Sequence, residues 1–199
     1  MNVLDWFAAR WKRAAAVQKV FVLGESPALL CDIDVTGVDA QRDSATGLAL
    51  LPIAGADFRL GDIRYVPFST AEAQVAADVQ AALARVGDLP LICYNPTFVR
   101  YMLERGLKRM QVPAPDWQWL DLGNMLEGAF GKEMGQVASL ETWHQRLGVA
   151  MVRRHDAVSD VYAMAQMFAM LTSQCEEQGW RTLDELMHAR EGRLWLRGD

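Results

Sequence analysis

Cysteine is scarce in this chain. Three occur in 199 residues, Cys31, Cys93 and Cys175, an odd number without metal-type spacing, which excludes a disulfide framework and a zinc-ribbon arrangement. Each lies in an apolar context that suits a small buried side chain, and a reducing cytoplasm is the expected compartment. Long hydrophobic runs are also missing. The longest, such as 49–56, falls well short of the roughly 18 to 20 apolar residues that cross a bilayer, so no membrane span is expected. The first twenty residues mix Trp6, Phe7 and Trp11 with Arg10, Lys12 and Arg13, which is not the pattern of a signal peptide. Positive charge is in deficit: 20 Lys and Arg stand against 25 Asp and Glu, for a net charge of −5 and a pI near 5.2. Such a molecule repels a polyanion as a whole, so any nucleic-acid contact has to be local. Low-complexity stretches and internal repeats are absent as well, which sets aside disorder and solenoids.

What is present is enough apolar material, 51% of residues, for one substantial core. Leu4, Phe7, Ala8, Trp11 and Ala15 recur at helical spacing and predict an amphipathic N-terminal helix, which docks on the domain, recruits a protein partner or lies on a membrane surface. Strands are predicted over 28–33, 46–54 and 59–66. Their short connections leave no room for crossover helices, so the fold opens as an antiparallel meander and not as a Rossmann unit. A helix opening at Thr70 with Glu72 in its first turn carries Val75, Val79, Ala82, Leu83 and Val86 on one face and ends at Gly87. A strand over 91–94, a helix opened by Pro96, a strand over 117–122 and helices over 140–147, 157–178 and 183–189 follow. The expected class is α/β: a mixed five-stranded sheet, antiparallel meander first and parallel strands after, flanked by helices. The expected division is an N-terminal extension over 1–22, a domain over 23–175 and a helical extension over 176–199.

Asp32 and Asp34 stand two apart at the end of the first strand, so both side chains emerge on one face, beside a turn that Gly37 permits. Such a pair can share a hard divalent cation, or be two ordinary turn aspartates. Far downstream, Arg154-His155-Asp156-Ala157-Val158-Ser159-Asp160 places a histidine just before a helix and an aspartate in its first turn and a half. In two-metal hydrolysis of a phosphodiester, carboxylates hold the cations and a histidine takes the proton of the attacking water.

With these residues in this order, the chain resembles the DEDDh 3′–5′ exonucleases, a family that includes the proofreading subunit of bacterial DNA polymerase III and ribonuclease T. The resemblance spans about 28–171. Asp32-Ile-Asp-Val-Thr-Gly-Val looks like the family's Asp-x-Glu-Thr-Thr-Gly-Leu, with Asp34 in place of the glutamate. Tyr94-Asn95-Pro-Thr-Phe98-Val99 looks like His-Asn-x-x-Phe-Asp, with Val99 in place of the metal-binding aspartate. His155, Ala157 and Asp160 match His-x-Ala-x-x-Asp, preceded by the family-like lead-ins Trp119-Leu-Asp-Leu and Ser139-Leu-Glu.

The resemblance implies a ribonuclease H-like fold and a metal-dependent exonuclease acting on a single-stranded DNA or RNA 3′ end. It makes Asp32 and Asp160 metal ligands, Asp34 a shortened ligand that also orients water, and His155 the general base. Thr36, Gly37, Asn95, Phe98 and Arg154 would contact the substrate strand. The cofactor would be Mg²⁺ or Mn²⁺ at a two-metal site whose second ion is weakly held, because Val99 offers no oxygen. The alternative is a catalytically weak or inactive binding or regulatory module on the same fold; a scaffold with no nucleic-acid role is a third reading. Glu104 is a poor substitute for the missing oxygen, while Asp121 and Asp156 require altered local backbone. Arg100, Arg105, Lys108, Arg109, Arg153 and Arg154 either flank the cleft or are ordinary solvated charges. Tyr94, Phe98 and Tyr101 either stack on bases or pack, and Trp117 and Trp119 cover the sheet.

Overall fold

The computed structural model describes residues 20–39, 41–68, 73–134, 139–153 and 155–197. The N-terminal helix predicted from Leu4 to Ala15, the helix start at Thr70 and Glu72, and Arg154 lie outside them.

The centre of the molecule is β1 (Pro27–Val35). Its even residues Ala28 and Leu30 enter one apolar cluster, and its odd residues Leu29, Cys31 and Ile33 enter another on the opposite face. A strand covered on both faces reads as a continuous apolar run rather than an alternation. β2 (Ala45–Ala54) pairs antiparallel with it, in a register that sets Asp32 opposite Ala49 and Asp34 opposite Gly47, with an irregularity after Asp34. β5 (Leu91–Cys93) and β6 (Trp119–Asp121) extend the sheet in parallel on the other side of β1.

Of the strand predicted over 59–66 only the last part forms: residues 60–62 are a 3₁₀ turn, and a two-residue strand precedes the predicted start. β3 (Asp57–Phe58) and β4 (Arg64–Pro67) both pair with β2 and share its outer edge, separated by a 3₁₀ turn at Leu60–Asp62. Gly61 lies in the turn, where Asp62 and Ile63 donate to the Arg59 and Leu60 carbonyls and the Arg64 guanidinium holds the Gly61 and Ile63 carbonyls. The sheet is therefore six-stranded, in the order β3-β2-β1-β5-β6 with β4 beside β2, and its mixed antiparallel and parallel character is the predicted one.

α1 (Ala73–Val86) and α2 (Pro96–Arg109) cover the face of Cys31 and Ile33. α3 (Leu122–Met134), α4 (Leu140–Leu147) and α5 (Ala157–Gln178) cover the other. α3 was not expected. Gly123, Gly128 and Gly131 interrupt it, and each glycine costs a helix interior roughly 1 kcal/mol relative to alanine. Tertiary packing outweighs that cost. The Asp121 carboxylate receives the Gly123 N–H at 2.8 Å, and at Gly128 the missing Cβ leaves room for Leu186 of α6 (Leu183–Arg197). α6 runs eight residues beyond its predicted end at 189 because Arg190 pairs with Glu127 at 2.6 Å and Arg193 donates to the Gly128 carbonyl. The chain from Val20 joins the same side, Leu23 donating to the Arg181 carbonyl and Leu183 to that of Phe21.

Candidate active site

Asp32 and Asp34 occupy even positions of β1 and so face α5, as their spacing requires. The N-terminus of α5 arrives directly against them, with the Ala157 N–H donating to Asp34 Oδ1 at 2.8 Å. That bond joins residues 123 apart in the chain and sets the depth at which Asp160 enters. Asp160 is 8% exposed, and its Oδ1 is buried and finds no hydrogen-bond partner among the described residues. Asp156 caps the helix by accepting the Ser159 N–H at 2.9 Å. His155 is exposed and holds a left-handed backbone (φ 54°), a conformation uncommon for a residue with a Cβ.

These groups share one electrostatic neighbourhood. Burial, and then the charges of Asp160 and Asp34, push the Asp32 carboxyl up to about 8 against a hydrogen bond from the Ile33 backbone. Burial also raises Asp160, to about 6; His155 opposes this, and Asp156 and Asp34 add to it. Two carboxyls that resist ionisation in one cleft are short of compensating positive charge.

Tyr65, which no motif or spacing singles out, belongs to the site. The residue is 43% exposed on β4, and its hydroxyl stands over Gly47, the residue opposite Asp34. Burial first, then the nearness and charge of Asp34 and the charge of Asp156, push the phenol up to about 12.

Of the residues expected at the substrate, Thr36 and Gly37 stiffen the turn over 36–44. The Thr36 hydroxyl donates to Asp43 Oδ1 at 2.9 Å and accepts the Ser44 N–H, while Asp43 Oδ2 accepts the Asp39 N–H. A Cβ on Gly37 would lie 2.4 Å from Asp43 Oδ2. Gly37→Ala should therefore break these bonds at a cost of roughly 1 to 2 kcal/mol, read as a melting temperature lower by about 2 to 8 °C; an unchanged melting temperature would refute this account of the turn. Asn95 caps α2 with its side chain, accepting from the Phe98 N–H. Phe98 packs partly buried against the α1–α2 cluster, which is the packing reading of this ring.

Val99 is 3% exposed and belongs to the apolar cluster on the side of the sheet away from Asp32. Nor do the nearby acids replace its missing oxygen. Glu104 pairs with Arg100 at 2.7 Å, and Asp121 accepts from Gly123 and Asn124. The basic residues of α2 also have structural partners: Arg105 donates to the Gln41 carbonyl and Arg109 to the Ser44 hydroxyl, so they latch the 36–44 turn to the helix.

Among the described residues, no three His, Cys, Asp or Glu side chains gather closely enough to form a ready metal cage. The reason is visible at Asp34, whose Oδ1 is turned to the helix N-terminus. Asp32 and Asp160, with an oxygen unpartnered, form a donor set that fits one hard cation.

No protein-family model and no curated protein matches the chain. Solved structures do. E. coli exonuclease I in complex with a dT13 oligonucleotide is 14% identical, with a TM-score of 0.58, over 77% of this chain and 42% of that one. Its zinc-bound complex with single-stranded DNA is 15% identical, with a TM-score of 0.56, over 78% and 41%. The fold is ribonuclease H-like. Apo exonuclease I matches likewise, at 14% identity and a TM-score of 0.56 over 82% of this chain and 44% of that one. The chain thus spans well under half the length of these structures. At such identity the ribonuclease H-like fold is what the likeness carries, and the chemistry has to come from the residues.

Proposed function

We propose that this chain hydrolyses phosphodiester bonds at the 3′ end of single-stranded nucleic acid, using one divalent cation bound between Asp32 and Asp160. The observation that carries the reading is the buried, unpartnered Asp160 oxygen beside the raised Asp32 carboxyl. Burying carboxylates without compensation costs several kcal/mol, and a hard cation that takes oxygen ligands, Mg²⁺ or Mn²⁺, relieves both at once. When bound, that ion supplies Lewis-acid activation of a water and of the phosphoryl oxygen.

The chain's own residues do the rest. His155, exposed at the entrance to α5 and close enough to bias Asp160, takes the proton of the attacking water. Asp34, held by the helix N-terminus, orients that water. Thr36 and Gly37 on the latched turn, with Asn95 and Phe98 at the start of α2, wall the path of the strand, and Arg154 meets its phosphates. The oligonucleotide complexes of exonuclease I, a protein of the same fold, support single-stranded nucleic acid as the substrate class. With Val99 at the fourth position, any second ion lacks a carboxylate, and the expected activity is slow. Residues 23–175 form the catalytic unit in this reading, with the flanking helices as supports.

The test is cleavage of 5′-labelled single-stranded DNA and RNA oligonucleotides by the pure protein in Mn²⁺ and in Mg²⁺. A ladder shortening from the 3′ end is expected. It should be abolished by Asp32→Ala and slowed about 10² to 10⁴-fold by His155→Ala. Oligonucleotide binding with no ladder in either metal would replace this reading by that of a binding module, which the burial of Val99 in an apolar cluster favours.

A further inference from the structure

The geometry points to Tyr65 as a positioning residue that holds Asp34 against the N-terminus of α5 and fixes the orientation of its carboxylate in the cleft. The inference deepens the proposed nuclease reading and rests on it for the part that concerns metal and substrate. Asp34 ends one methylene short of a glutamate, so its reach depends on what it is bonded to. Donors from two different elements address it: the Ala157 N–H of α5, at 2.8 Å, and, in this inference, the Tyr65 hydroxyl of β4, which stands over Gly47 opposite Asp34. A carboxylate gripped from both sides cannot swing with its own side-chain rotamers, and a group fixed in this way holds the attacking water in one orientation.

The path of the Tyr65 side chain is built for this contact. Tyr65 pairs with Ala49 of β2, and Ala49 pairs with Asp32 of β1, so the ring stands on the same face as both aspartates. Two residues along β2, Gly47 lies opposite Asp34. A Cβ at Gly47 would fall 2.1 Å from the Tyr65 hydroxyl oxygen and 2.4 Å from the ring carbon that bears it. The phenol therefore crosses the strand through the space that glycine leaves, on its way to Asp34. Apolar burial does not explain this orientation, since the residue remains 43% exposed; the hydroxyl does.

The experiment compares wild type, Tyr65→Phe, Gly47→Ala and Asp34→Asn in the full chain. The readouts are the Ala157 amide resonance and its exchange rate without metal, Mn²⁺ affinity by calorimetry, and kcat and KM on an oligonucleotide in Mn²⁺. Tyr65→Phe and Gly47→Ala are expected to shift the Ala157 amide and speed its exchange, as Asp34→Asn does. They should lower kcat about 10-fold, the lower end of what loss of an orienting partner costs, with KM and Mn²⁺ affinity unchanged. Tyr65→Phe removes one oxygen and keeps the ring, so a purely structural role would move the melting temperature alone. An Ala157 amide and a kcat both unchanged in Tyr65→Phe would overturn the inference. If wild type neither binds Mn²⁺ nor cuts, the nuclease reading fails, and the Ala157 amide by itself still decides whether Tyr65 holds Asp34.

Discussion

Asp32→Asn is expected to stabilise the metal-free protein at pH 8 and to leave it almost unchanged near pH 4. The Asp32 carboxyl is raised from 3.8 to about 8 in the fold, first by burial and then by Asp160. A folded pKa above the unfolded one means that the native state binds the proton more tightly, so stability is greatest at low pH and falls as pH rises through this window. Asp160, raised to about 6, contributes in the same direction over the lower part of it. Each pKa unit is worth about 1.4 kcal/mol, so removing the charge at Asp32 should return several kcal/mol at pH 8. In a domain of this size that is roughly 10 to 20 °C in melting temperature. Thermal melts of both proteins across this pH range in chelator check it. Mn²⁺ at pH 8 should raise the wild-type melting temperature and leave that of Asp32→Asn in place. A variant destabilised equally at both pH values would show that Asp32 is satisfied in the fold without a cation.

Val99→Asp, the substitution that places an acid where the DEDDh exonucleases carry one, is expected to destabilise the protein and to create no new activity. Val99 is 3% exposed among Cys31, Cys93, Met102 and their neighbours, on the far side of the sheet from Asp32 and Asp34. An uncompensated charge at such a position costs about 3 to 5 kcal/mol, or roughly 6 to 20 °C in melting temperature for a domain of this length. Mn²⁺ should not recover the loss, because no ligand of the proposed cation lies on that side. Recovery by Mn²⁺, with or without Asp34→Glu, would mean that the introduced carboxylate reaches the cleft, and would reinstate a four-carboxylate site.

The parts of the fold that were legible in the sequence are those governed by local physics. The apolar runs of β1 and β2, the proline that opens α2 and the glycines that close α1 and α5 each have a local cause, and each element lies close to where it was expected. α3 was hidden because its three glycines argue against a helix, and the packing that favours them, Leu186 against Gly128 and Tyr94 against Gly123, is tertiary. The third strand read as starting at Arg59 because its alternation continues back through what is a 3₁₀ turn at Leu60–Asp62. The arginines of α2 suggested a path for phosphate, yet two of them latch the turn after β1, a contact made across more than sixty residues of chain.

The same division runs through the site. Spacing alone put Asp32 and Asp34 on one face of a strand and Asp160 in the first turns of a helix, because periods of 2 and 3.6 are properties of the backbone. Which acids meet, which one spends an oxygen on a helix N-terminus, which is left unpartnered and which side of the sheet Val99 takes were decided by strand register and by the docking of α5 on β1. So was the role of Tyr65, which needs Gly47 opposite Asp34 and a tyrosine one strand further out. Those contacts link residues far apart in the chain, and no local period carries them; they exist only once the sheet has closed around its core.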